Sequence, residues 1–142
     1  NPKQVSSLQD VLLPVNQQLL MAWIQRGDLL ALWLGVSCSS FSRARRGKIP
    51  VPGQPRKRGG YPPPLRTADY IMGRPGLTPK EHAKVKVGND LAAWAVKVIR
   101  ACLENRVPIL LENPQSSFLW RLPDMVDLLQ LGLVVNTLDV LE

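Results

Sequence analysis

One histidine and two cysteines are all the imidazole and thiolate metal ligands this 142-residue chain has. His82, Cys38 and Cys102 stand far apart in sequence and cannot build a four-ligand zinc site. Two cysteines make no disulfide framework either. One lies in a polar loop and the other in an amphipathic stretch, which points to a reducing, intracellular compartment, with the nucleus among those it allows. No apolar run approaches the ~20 residues of a membrane-spanning helix. The sequence opens Asn1-Pro2-Lys3, with neither an initiator Met nor a charged-then-apolar leader, as expected of a fragment of a longer reading frame. A hydrophobic content of 45% fits a soluble globular chain, and the length suits a single domain over 1–142.

Acidic residues are missing altogether between Leu29 and Ala68. That stretch holds Arg43, Arg45, Arg46, Lys48, Arg56, Lys57, Arg58 and Arg66. These eight cations carry the whole net charge of +7, because outside them ten bases face eleven acids. A charge so concentrated attracts polyanions, with nucleic-acid phosphates the usual partner. The alternative is a solvated basic linker.

Regular hydrophobic spacing is also absent from Ser37 to Thr78, where prolines and glycines crowd. Residues 43–77 read as a long basic Pro/Gly-rich loop, of a length usually functional or disordered. Elsewhere the pattern is plain. Pro14 to Arg26 reads as a helix stopped by Gly27, with Leu19, Leu20, Trp23 and Ile24 as its buried face. Asp28 to Val36 is nearly all apolar and reads as a strand buried on both faces. Thr78-Pro79-Lys80-Glu81 has the form of a capping box. The helix it opens runs to about Asn105, with Val85, Leu91, Trp94, Ala95, Val98, Ile99 and Cys102 turned inward. A second buried strand covers Pro108 to Glu112, a short helix Pro123 to Gln130, and a third strand Leu133 to Val140. The order is α, β, long loop, α, β, α, β. Right-handed crossovers make this an α/β fold, a partial doubly wound, Rossmann-like parallel sheet flanked by helices. Chemistry in such sheets gathers at the carboxyl ends of the strands. The loops leaving those ends begin at Ser37-Cys38 and Glu112-Asn113.

Cys38 is a nucleophile candidate. A free thiol is only partly ionised at neutral pH and needs activation, which Arg43, Arg45 and Arg46 are placed in sequence to give. Glu112 closes an apolar strand, where burial would favour its protonated form. A nucleophilic sulfur and a proton-sharing carboxyl group together suit attack on an electron-poor heteroaromatic ring. The plainer alternatives are an ordinary loop cysteine and a solvated strand-end carboxylate. Cys102 and the tryptophans at 23, 33 and 94 read as core, and His82 as solvent-exposed. Trp120 either walls a pocket or anchors the last helix.

Gly35-Val36-Ser37-Cys38-Ser39-Ser40-Phe41-Ser42 resembles the G-x-P-C-Q-x-F-S nucleophile loop of cytosine-5 DNA methyltransferases. Leu111-Glu112-Asn113-Pro114 resembles the Glu-Asn-Val motif of that family, and Asp10-Val11 more weakly its adenine-contacting acidic motif. The string Cys-Ser-Ser-Phe-Ser-Arg-Ala-Arg, the later Pro63-Pro64-Leu65-Arg66 and Glu112 to Trp120 are closer still to a divergent methylase-like branch from mobile elements and protist genomes. The resemblance implies a DNA methyltransferase using S-adenosylmethionine. Cys38 would attack C6 of a flipped cytosine, Glu112 would bond N3 and the exocyclic amine, and Asn113 would position the loop or ring. Asp10 would touch the cofactor, and Arg43, Arg45, Arg46, Arg56, Lys57, Arg58 and Arg66 would hold DNA.

Departures accompany the resemblance. Ser37 and Ser39 replace the usual Pro and Gln. The Phe-x-Gly-x-Gly cofactor loop and the downstream Arg-rich motif are absent, so the chain reads as the catalytic middle of the enzyme, inactive alone. A second reading is a catalytically inactive nucleic-acid-binding remnant of the same fold. Methylation of an exocyclic amine fits less well, since Ser39-Ser40-Phe41 lacks the Pro-Pro-aromatic loop that such enzymes use.

Overall fold

A computed structural model describes residues 10–51, 53–54 and 59–133. The described elements are α1 (Pro14–Arg26), β1 (Leu32–Gly35), α2 (Pro79–Glu104), β2 (Ile109–Glu112), a 3-10 turn (Phe118–Arg121) and α3 (Pro123–Gln130). The third strand expected from Leu133 lies, but for its first residue, outside the described residues. The described residues divide into two compact units, one of residues 10–36 and 90–112, the other drawn from 37–89 and 113–133.

The first unit is an α/β layer. Pro14 opens α1, where a missing N–H costs nothing. Gly27 closes it at φ 74°, and its N–H bonds back to the Ile24 carbonyl at 3.1 Å. β1 and β2 pair in parallel, with Leu32 opposite Ile109 and Gly35 opposite Glu112. A parallel pair needs a long crossover, and the one here contains α2. Ile24, Trp94, Val98, Ala101, Cys102 and Val107 form the core, against which Leu20, Met21, Leu32, Leu34 and Ile109 pack.

Burial is narrower than the hydrophobic pattern predicts. Both strands alternate half-buried and exposed residues, so the sheet is covered on one face and not on both. Trp33 and Leu110 point away from the core, 67% and 55% exposed. On α1 the packed stripe is Leu20, Met21 and Ile24, while Leu19 and Trp23 are exposed. A four-residue strand offers the core only two side chains, and period-two geometry sends the others outward whatever their polarity. Of the inward positions expected on α2, Val85, Trp94, Ala95, Val98, Ile99 and Cys102 are buried and Leu91 is half-buried.

The second unit is built around the segment that reads as irregular. Its core contains Phe41, Leu65, Val85, Phe118, Leu119, Leu122, Met125 and Leu128, together with two guanidinium groups, Arg66 and Arg74. The capping box forms as expected: Glu81 accepts from the Thr78 N–H at 2.9 Å, and Thr78 Oγ1 accepts from the Glu81 N–H at 3.3 Å. Arg66 is 1% exposed and joins the parts. It donates to the Ser40 carbonyl and Oγ, the Ile71 and Val85 carbonyls and Asn89 Oδ1, at 2.6–3.2 Å. Its guanidinium also stacks 3.8 Å from the centre of the Phe41 ring. α2 passes this hub at Gly88, where a Cβ would overlap Ser40 Oγ and sit 3.0 Å from Arg66 Nη2.

Candidate active site

Glu112 ends β2 opposite Gly35, so the segment leading to Cys38 and the segment leading from Glu112 leave the sheet side by side. The sheet contains neither Cys38 nor Asn113, both of which belong to the second unit. Glu112 is exposed, a correction to the expected buried carboxylate, because the strand ends at the rim and only alternate residues face the core. Asn113 is half-buried.

Within the second unit the continuations of the two segments meet. Cys38 is exposed and starts a tight turn, its carbonyl accepting from the Phe41 N–H at 3.0 Å and the Ser42 N–H at 2.7 Å. Ser40 and Phe41 are buried and fix that turn from below. The Phe41 carbonyl accepts from the Phe118 N–H at 3.0 Å, which ties the cysteine loop to the string beginning at Asn113. Ser117 Oγ caps the 3-10 turn by accepting from the Leu119 N–H at 3.2 Å. Trp120 donates from Nε1 to the Pro114 carbonyl at 2.9 Å, a bond within its own segment.

The basic residues divide by burial. Arg66 has all its donors engaged inside the core, so it is a scaffold residue and no phosphate ligand. Burial lowers its pKa to about 10, which leaves it protonated at neutral pH. Arg45 is half-buried and donates to the Pro63 carbonyl at 2.8 Å, across 18 residues of loop. Arg43 is exposed and lies 5.5 Å from the centre of the Phe118 ring. Arg46 and Lys48 are exposed and face solvent. Arg56, Lys57 and Arg58 lie outside the described residues. Among the described residues no guanidinium hydrogen-bonds or ion-pairs with the Cys38 sulfur, so the expected activation by Arg43, Arg45 or Arg46 does not take that form. Sequence reasoning passes over Arg74, which is 5% exposed. Its Arg-Pro-Gly setting reads as a turn, and a cation in a turn gives no sign of burial.

The two thiols differ sharply. Cys102 is fully buried on α2, and burial pushes its thiol up. Iodoacetamide should therefore modify Cys38 in the native protein and reach Cys102 about 10²-fold more slowly or worse, through unfolding only. Peptide mapping over time checks this; equal rates would show that the thiol environments are misassigned.

Among the described residues no cluster of three or more His, Cys, Asp or Glu could hold a metal ion, and no helix is long and apolar enough to cross a membrane. Compared with protein-family models, curated proteins and solved structures, the chain matches none.

Proposed function

We propose that the chain supplies the base-activating residues of a cytosine-5 DNA methyltransferase, with Cys38 as nucleophile and Glu112 as its partner on the ring. The observation that carries the reading is the joining of the two motif segments, by the Gly35–Glu112 register in the sheet and the Phe118–Phe41 hydrogen bond beyond it. An exposed thiol on a loop fixed from below is reachable by a base turned out of its stack.

In this reading the Cys38 thiolate forms a bond to C6, and the C5=C6 π electrons move onto C5 and through C4 toward N3. One carboxyl oxygen of Glu112 accepts from the 4-amino group, and a proton shared between the other oxygen and N3 stabilises the charge that develops there. C5 is then electron-rich and takes an electrophile. A proton from water is the simplest one; loss of the original C5 hydrogen to the hydroxide left behind, then return of the N3 proton to Glu112 as the thiolate departs, restores the base.

The methyl donor that the resemblance implies, S-adenosylmethionine, does not fit the described residues by themselves. One carboxylate oxygen of Asp10 accepts from the Leu12 N–H at 2.9 Å, and the Asp10 carbonyl accepts from Asn16 Nδ2 at 2.7 Å. That leaves one exposed oxygen to meet a large ligand. No glycine-rich turn follows either described strand. The chemistry proposed for this chain is accordingly that of the base alone. The same misfit favours the second reading, a nucleic-acid-binding remnant without catalysis. Release of tritium from C5-labelled cytosine in a duplex separates the two, because it needs Cys38 and no methyl donor.

Both readings require the basic loop to bind DNA. With Arg66 in the core and Arg45 tied to the Pro63 carbonyl, six of the eight cations are left in Arg43, Arg46, Lys48 and residues 56–58; about six phosphates should be neutralised, giving a log–log salt slope of roughly −5. Arg56, Lys57 and Arg58 replaced by Ala should flatten the slope by about one unit for each phosphate no longer neutralised. Fluorescence anisotropy against salt measures it, and a slope near zero would return the loop to a solvated linker.

A further inference from the structure

The second unit contains a cavity of about 480 Å3 between the loop at 70–77 and one face of α2. This volume is in the range of small-ligand sites. Arg74 is part of its wall, and so are Tyr70, His82, Lys86 and Asn89; among the described residues no carboxylate lines it. His82, Lys86 and Asn89 recur at helical spacing and so present one face. Asn89 is already committed, accepting from Arg66 Nη1 at 2.7 Å and donating to the Met72 carbonyl at 3.0 Å.

Arg74 is the unusual member. It is buried, 5% exposed, and it donates from Nε to the Pro64 carbonyl at 2.8 Å and from Nη1 to the Pro75 carbonyl at 3.0 Å. Its Nη2 has no hydrogen-bond partner, and among the described residues no carboxylate pairs with the charge. A buried cation without a counter-charge and a buried donor without an acceptor are both unfavourable, and one anionic oxygen corrects both. A guanidinium fork matches phosphate geometry, and an ammonium group on the same wall adds charge.

We propose that this cavity is a phosphate-binding site anchored by Arg74, with Lys86 and His82 on its helical wall. The phosphate belongs to a nucleotide, either free or within a nucleic-acid strand. Nη2 has no water-accessible surface, so binding turns the guanidinium toward the cavity. The site is independent of the Cys38 chemistry and stands whether or not cytosine exchange is found.

The test follows the Arg74 Nε–Hε resonance and the backbone amides of 73–77 by NMR in the full chain, titrated with inorganic phosphate, thymidine 5′-monophosphate and a short oligothymidylate. Saturable movement at Arg74 with any of the three is expected. A tighter constant for the monophosphate than for the oligomer identifies a free nucleotide, and the reverse order identifies a strand. Lys86→Ala, an exposed change that leaves the core intact, should weaken the tightest ligand about tenfold, the effect of removing one charge-assisted hydrogen bond. Arg74→Lys should remove binding, and if that variant does not fold, Lys86→Ala decides alone. No movement at Arg74 with any probe, or an unchanged constant in Lys86→Ala, overturns the proposal.

Discussion

Arg66→Ala should destabilise the chain by about 3–5 kcal/mol, the range for truncating one member of a buried charged network. The side chain is 1% exposed, and five hydrogen bonds join its guanidinium to the cysteine loop, the turn at 71 and α2. Truncation leaves Ser40 Oγ and Asn89 Oδ1 without their guanidinium donor and exposes one face of Phe41 to a void. It also removes the bridge from Ser40 to Val85 and Asn89 on α2. Arg66→Lys keeps the charge but not the fork, and should still lose about 2 kcal/mol or more, since an ammonium cannot reach acceptors in several directions at once. Gly88→Ala probes the same hub from the helix side. Alanine is intrinsically better in a helix interior by about 1 kcal/mol. Here its methyl would overlap Ser40 Oγ, so a net loss of about 1–3 kcal/mol is expected from overpacking. Urea unfolding measures all three. Losses under ~0.5 kcal/mol, as for surface changes, would show that the hub does not hold the unit together.

This prediction also marks where sequence reading stops. Local signals with a mechanism are legible: Pro14 and Gly27 bound α1, Thr78 and Glu81 form the reciprocal cap, and Pro123 opens α3. The parallel pairing of the two apolar runs is legible too, because a helix lies between them. Burial is not. Trp33 and Leu110 look like core in the sequence, and their exposure follows only from strand length and from which face is covered. Arg66 escapes for a related reason. Charge counting treats every cation in an acid-free stretch alike, whereas the fold sorts them, taking Arg66 into the core, tying Arg45 to the Pro63 carbonyl and leaving Arg46 and Lys48 outside. The same blindness hides Arg74. Of the candidate site, the two motif segments can be read from the residues, but their connection through the Phe118 N–H cannot, since nothing in the sequence marks that main-chain bond.

The positioning of Cys38 bears on the larger question. Its turn rests on Ser40 and Phe41, which rest on Arg66, so the thiol is carried on a stiff support although it is itself exposed. A nucleophile on a fixed loop needs less reorganisation to meet a base than one on a free segment. Glu112 is held by the sheet register in the same sense. If Glu112 acts as proposed, Glu112→Gln keeps the shape and both hydrogen bonds, its amide N–H donating to N3 and its oxygen accepting from the 4-amino group, but it has no proton to give up to N3. It should slow chemistry at the ring by about 10²–10³-fold, the effect of losing a donor aimed at developing charge.

Tritium release from a duplex carrying cytosine labelled at C5, measured with the full chain and no added methyl donor, tests the central claim most directly. Release above the protein-free rate is expected, with its loss in Cys38→Ser, because a hydroxyl is a far weaker nucleophile at neutral pH, and its persistence in Cys102→Ser. Release that survives Cys38→Ser, or none at all from folded protein bound to the duplex, would contradict it and leave a nucleic-acid-binding fold without the chemistry.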